Sequence, residues 1–194
     1  NQNNIMKKFI INGPNKYVKG EVDISGAKNS CLPLMAASIL FKNRVTFKNV
    51  PFVKDVYTMK NLLISLGAKV DISEKRKLMT ISNKKNHKLI VPYNLVSTMR
   101  AGVLTMGPLL GRYPQKKIKV ALGGGCALGV RDTNWHLAGF RNLGARNSLE
   151  KGYVNISAKK GLIGSKYKFP KVTVTGTSNL IMASILVKGS HIIK

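Results

Sequence analysis

The chain repeats itself, and no other feature constrains its fold as much. Leu66-Gly-Ala-Lys69, followed by Ile81-Ser82, returns as Leu143-Gly-Ala-Arg146, followed by Ile156-Ser157. Later still, Met182-Ala-Ser-Ile-Leu186 answers Ala37-Ser-Ile-Leu40. The residues around these echoes predict the same elements in the same order. In the first round, short strands over 9–11 and 22–24 flank the turn signal Gly13-Pro-Asn15. A helix over 31–40 follows, with Pro33 tolerable only in its first turn. A strand over 44–50 leads to a helix over 55–66, whose Val56, Met59, Leu62, Leu63 and Leu66 have helical spacing. Gly67 is its expected C-cap, and strands over 69–72 and 78–82 close the round. The second round predicts a strand over 88–91, a helix over 96–110, a strand over 118–122, a helix over 133–143 and strands over 147–149 and 153–157. The third predicts a strand over 166–169, a helix over 178–187 and a strand over 191–193. The unit is therefore βαβαββ, roughly 70–80 residues long, spanning about 21–86, about 87–160 and, incomplete, 161–194. Amphipathic helices need a shared interior and strands need a sheet. Three such α/β units closed about an axis would meet both demands.

Composition narrows the function classes. The formal net charge of +26 would suit a polyanion partner. Yet only seven of the 33 basic residues are arginine, and the lysines are scattered rather than gathered on one stripe. Nucleic acid is therefore not the expected partner, although a basic polyanion-binding protein stays open as an alternative. No apolar run approaches the ~18 residues of a membrane span. The start, Asn1-Gln-Asn-Asn, lacks the basic-then-apolar pattern of a signal peptide. Cys31 and Cys126 do not read as a disulfide framework, so a cytoplasmic setting is expected. His87, His136 and His191 stand without Cys or carboxylate neighbours at ligand spacing, so no metal site is expected.

The residues from Val120 to Arg131 carry the chemical signal. A strand-like run ends in Gly123-Gly-Gly, Cys126 follows at once, and Arg131 lies five residues beyond it. Consecutive glycines let a backbone approach a ligand closely. A thiol on an exposed loop beside a cation has its pKa lowered and is reactive. A glycine-rich turn around a small buried cysteine is the other reading of the same residues.

Several separated motifs share one resemblance. Gly20-Glu-Val-Asp-Ile-Ser-Gly-Ala-Lys-Asn29, Val53-Lys-Asp-Val56 with Met59, Thr98-Met-Arg-Ala101, Gly107-Pro-Leu109 and Gly124-Gly-Cys-Ala-Leu-Gly-Val-Arg131 come in this order. Together they resemble the N-terminal half of the UDP-N-acetylglucosamine 1-carboxyvinyltransferases, a family of enolpyruvyl transferases. The resemblance implies an inside-out α/β barrel of two domains, with the active site between them. Residues 1–20 would belong with the other domain, and residues 21–194 would form nearly all of one. It also implies a reaction without a cofactor: phosphoenolpyruvate, a co-substrate, gives its enolpyruvyl group to the 3-hydroxyl of UDP-N-acetylglucosamine and phosphate leaves. This is the first committed step of peptidoglycan synthesis.

The family's site residues then carry over by position. Cys126 matches the thiol that acts as general acid toward the enolpyruvyl methylene, or forms a covalent phospholactoyl adduct, and that fosfomycin alkylates. Lys28 matches a residue touching both substrates, and Asn29 one that binds the sugar. Arg100 matches an arginine facing phosphoenolpyruvate, and Arg131 one that reaches the phosphates. Bidentate guanidinium groups suit those anions better than point charges. Asp132, Thr133, Asn134, Trp135 and His136 line the nucleotide side, as do Lys171, Thr173, Val174 and Thr175. Without the family, His136 reads as a helix residue satisfied locally, and Thr173 and Thr175 read as an ordinary strand. Two departures stand out. The family loop usually opens Pro-Gly-Gly-Cys, where this chain has Gly123, and continues Arg-Pro-x-Asp-Leu-His, where this chain has Arg131-Asp-Thr-Asn-Trp-His136. Both changes loosen the loop and alter the surface that would cradle uridine. The family's general-base aspartate lies in the half beyond residue 194. A second chain supplying that half is one partner this reading allows, and a non-catalytic remnant that at most binds the sugar nucleotide is a further alternative.

Overall fold

The computed structural model describes residues 9–13, 17, 19–83, 86–96, 100–121 and 133–194. In chain order the elements are α1 (Lys28–Ala37), β1 (Val45–Phe47), α2 (Lys54–Ser65), β2 (Lys69–Ser73), β3 (Leu78–Ser82), β4 (Ile90–Val91), α3 (Tyr93–Val96), α4 (Met106–Arg112), β5 (Ile118–Ala121), α5 (Asn134–Asn142), β6 (Arg146–Glu150), β7 (Tyr153–Ser157), β8 (Lys166–Tyr167), α6 (Val174–Ser184) and β9 (Ile192–Ile193). Two 3₁₀ stretches, Ser38–Leu40 and Arg100–Thr105, join them.

Three sheets form, ordered β1-β3-β2, β4-β5-β7-β6 and β8-β9. β1, β3 and β2 pair antiparallel, as do β5, β7 and β6, in the same spatial order. β4 with β5, and β8 with β9, pair parallel, and each of those pairs is joined through helical segments as parallel strands require. The helices pack on one another: α4 against α6, α1 against α2, and α5 against α6. α4 lies deepest, with Met106, Gly107, Pro108, Leu109, Leu110 and Gly111 all buried. α2 turns Val56, Met59, Leu62 and Leu63 inward, as their spacing predicts.

The Leu-Gly-Ala echo has a physical meaning. Gly67 has φ +105° and Gly144 φ +91°, a region costly for any residue with a Cβ. The Gly67 amide donates to the Ile64 carbonyl at 2.9 Å and the Ala68 amide to Leu63 at 3.0 Å. Gly144 donates to Arg141 at 2.9 Å and Ala145 to Phe140 at 3.0 Å. Both helices therefore end in the same Schellman cap.

Four sequence expectations need correction. Residues 9–11 and 22–24 form no strand: Phe9 is 97% and Val22 82% exposed, and neither segment has a ladder partner among the described residues. Apolar alternation makes a strand only where an edge is available to pair with it. α1 begins at Lys28, not at residue 31, so Pro33 lies inside it and cannot donate to the Asn29 carbonyl. The helix expected over 96–110 is broken into α3, a 3₁₀ run and α4. Pro108 has no N–H to donate to Leu104, so the α-helical ladder restarts at Met106 with Pro108 in its first turn. α6 begins at Val174 rather than at residue 178, because the Thr173 hydroxyl accepts the Gly176 amide at 3.1 Å and caps it.

One polar cluster closes the C-terminal end of α1. Arg112 donates to the Ile39 and Phe41 carbonyls, and the Asn83 side-chain amide donates to those of Ser38 and Phe41. Asn83 Oδ1 lies 3.0 Å from His87 Nε2, and Tyr113 Oη lies 2.8 Å from His87 Nδ1. Asn83 Oδ1 can only accept, so Nε2 carries a proton. Burial, and secondarily the Arg112 charge, lowers the His87 pKa to about 4. The unfolded chain, at ~6.5, binds that proton first. This contribution to stability is thus complete above about pH 6.5 and is lost as the pH falls toward 4. Urea unfolding at pH 7 and pH 4.5 is expected to show this loss in the wild type, beyond that of the carboxylates. His87→Gln should remove that extra part; equal pH dependence in the two proteins would refute it.

Candidate substrate site

The Ser-Gly-Ala-Lys-Asn segment opens α1. Lys28 and Asn29 occupy its first turn and are exposed. The Ala27 N-cap has no side-chain bond to the first-turn amides. Lys28 Nζ lies 2.8 Å from Asp55 Oδ2 in the first turn of α2. An acidic side chain is favoured at a helix N-terminus, which holds Asp55 in place to meet the lysine. The pair is solvent-exposed, with 47% and 35% of the two side chains accessible, so it contributes at most about 1 kcal/mol. An arriving anion can therefore compete for Lys28. The Val53-Lys-Asp-Val56 motif contains Asp55 but assigns it no site role, because an acidic residue in a first turn is ordinary helix chemistry.

Beside that turn is a depression of about 180 Å³ lined by Gly26, Ser30, Cys31, Phe47 and Asn49 among others. Cys31 is 8% exposed and burial raises its thiol pKa, as suits a packed core cysteine rather than a reactive one.

The nucleotide-side candidates gather on α5 and α6, which pack together. Thr133 precedes α5, Asn134 is exposed on it, and Trp135 packs half-buried against the core. His136 is only 5% exposed, and its Nδ1 lies 2.9 Å from Asn179 Nδ2. On α6, Thr173 is the N-cap, Val174 is exposed and Thr175 half-buried in the first turn, with Lys171 exposed just before it. The alternative strand reading of Thr173 and Thr175 is thereby excluded. Arg100 opens the 3₁₀ run that touches both α1 and α6. Cys126, Arg131 and Asp132 lie outside the described residues.

A profile of the EPSP synthase (3-phosphoshikimate 1-carboxyvinyltransferase) family matches residues 13–194. The chain belongs to this enolpyruvyl transferase family. Within the family it is 46% identical over 184 residues to the UDP-N-acetylglucosamine 1-carboxyvinyltransferase of Pelagibacter ubique, covering 95% of this chain and 43% of that protein. The enzyme of the same name from Magnetococcus marinus is 47% identical over 188 residues, covering 97% and 44%. The chain thus spans less than half the length of these relatives, and it resembles their N-terminal half. Among solved structures, the enolpyruvyl transferase NikO from Streptomyces tendae superposes with a TM-score of 0.68 at 16% identity, over 87% of this chain and 38% of that one. EPSP synthase from Acinetobacter baumannii gives 0.63 at 19% identity, over 90% and 40%. These two likenesses establish the shared α/β fold of this enolpyruvyl transferase chain.

Proposed function

We propose that this chain supplies the cysteine-loop half of a cytoplasmic UDP-N-acetylglucosamine 1-carboxyvinyltransferase, the enzyme of the first committed step of peptidoglycan synthesis. The observation that carries the reading is the 46–47% identity running along 95–97% of the chain to relatives of that name. The repeated sheet order, β1-β3-β2 and β5-β7-β6, supports a barrel of βαβαββ units. Helices packed on helices support its inside-out character.

In this reading the two substrates bring a carboxylate, a phosphate and a diphosphate into one cleft. Lys28, Arg100 and Arg131 neutralise them and hold the sugar 3-hydroxyl against C2 of phosphoenolpyruvate. The C–O bond forms as the Cys126 thiol protonates the C3 methylene. Loss of phosphate and of a C3 proton then restores the enol ether. Closure of the cysteine loop excludes water from this step. The aspartate that accepts the sugar hydroxyl proton belongs to the other half of the enzyme. No metal or cofactor takes part in this scheme.

The test is twofold. Calorimetric titration with UDP-N-acetylglucosamine is expected to give saturable binding, and incubation with fosfomycin a single covalent adduct on Cys126, absent in Cys126→Ser. Binding without an adduct would favour a non-catalytic remnant. Absence of both would sink the proposal.

A further inference from the structure

The buried amide of Asn179 ties together helices that carry the nucleotide-side candidates. It sits on α6 beside the buried Leu180, Met182 and Ala183 and is itself fully buried. Its Nδ2 donates to the Val103 carbonyl at 2.8 Å, in the 3₁₀ run that begins at Arg100. Its Oδ1 accepts the Gly107 amide of α4 at 3.0 Å. The remaining Nδ2 hydrogen meets Nδ1 of His136 on α5 at 2.9 Å.

The orientation of this amide follows from its partners. The Gly107 N–H can only donate and the Val103 carbonyl can only accept. A flipped amide would set NH₂ against N–H and oxygen against oxygen, leaving buried groups unpaired at a cost of about 1–3 kcal/mol each. With Oδ1 fixed toward Gly107, both Nδ2 hydrogens point at acceptors, and His136 Nδ1 must be one of them. Nδ1 then offers its lone pair, and the ring proton resides on Nε2.

We infer that Asn179 is a positioning residue that locks His136 as the neutral Nε2–H tautomer, so that His136 serves the site as a hydrogen-bond donor and not as a cation or a base. The tautomer follows from the helix contacts alone. At the junction of α4, α5 and α6 the ring therefore carries its proton on Nε2 and adds no charge of its own.

Nitrogen-15 NMR of the imidazole rings in the unliganded chain decides the matter, with His136→Gln used to assign the signals. The wild type at pH 7.5 is expected to show His136 with a pyridine-like Nδ1 and a pyrrole-like Nε2. In Asn179→Asp an ionised carboxylate offers only acceptors and draws a proton onto Nδ1, so that signal should move to the pyrrole-like position. A wild-type His136 protonated on Nδ1, or averaging between tautomers, would overturn the inference. So would an Asn179→Asp spectrum unchanged at His136 at a pH where infrared absorption shows the carboxylate ionised. The wild-type spectrum is decisive even where the variant does not fold. Because no substrate is present, a failed tautomer and a failed nucleotide titration are separate results.

Discussion

Gly107→Ala is expected to lower the free energy of unfolding by more than about 3 kcal/mol. A Cβ at this position would overlap the Asn179 main-chain carbonyl oxygen and stand 2.7 Å from its Oδ1. Close-packed interiors relieve such overlap only by moving whole elements, and here the obstacle is backbone of α6 rather than the end of a flexible chain. Pushing α6 from α4 also lengthens the bond from the Gly107 amide to Asn179. That leaves a buried donor and a buried acceptor poorly paired. Gly139→Ala provides the contrast. Its Cβ would meet side-chain carbons of Leu180, at 2.5 and 2.7 Å, which a rotamer change can clear, so a cost of about 1 kcal/mol is expected. Urea denaturation of both variants measures the difference. Equal losses in the two would mean that the α4–α6 contact is softer than its geometry implies.

That contact also marks where the sequence stopped being informative. The Leu-Gly-Ala motifs were legible because a Schellman cap is local: one glycine with positive φ and two backbone hydrogen bonds fix it wherever it occurs. The helix over 55–66 was legible because five apolar residues at helical spacing have few other ways to be buried. Thr173 and Thr175 misled, since alternation and a capping threonine use the same letters, and only the bond from the Gly176 amide to the Thr173 hydroxyl decides between them. Pro33 misled in the opposite sense. Tertiary packing of Leu32, Met35 and Ala36 outweighs the local penalty for an interior proline, so α1 starts three residues early and brings Lys28 into its first turn. Asn179 stands at the head of the apolar run Leu180-Ile-Met-Ala, but its partners are 43 to 76 residues away. No spacing rule reaches that far. The candidate residues on α5 and α6 were each named through resemblance to a family, whereas the network joining the two helices has no sequence signature.

Gly26→Ala is expected to weaken ligand binding and stability together, and its comparison with Lys28→Met separates the two effects. Gly26 passes so close to the end of β1 that an added Cβ would overlap the Asn49 carbonyl oxygen and come within 3.2 Å of the Pro51 ring. That stretch has little room to yield. Asn49 holds φ +54°, its side-chain amide donates to the Ile24 carbonyl at 3.2 Å, and the Val50 amide donates to Lys77 at 3.0 Å. The segment before α1 must therefore lift away. It takes with it the helix start, the Lys28–Asp55 pair and the first-turn amides. A loss of about 3 kcal/mol in unfolding free energy and at least about a tenfold weaker titration with UDP-N-acetylglucosamine are the expected results. Lys28→Met keeps the aliphatic stem and breaks only an exposed ion pair, so its stability should fall by less than about 1 kcal/mol. Its loss of affinity for an anionic substrate should nevertheless match or exceed that of Gly26→Ala, because the charge itself is gone. If Lys28→Met binds the nucleotide as well as the wild type, then the lysine at the head of α1 is a solvated surface cation. The close packing at Gly26 would then serve the fold alone.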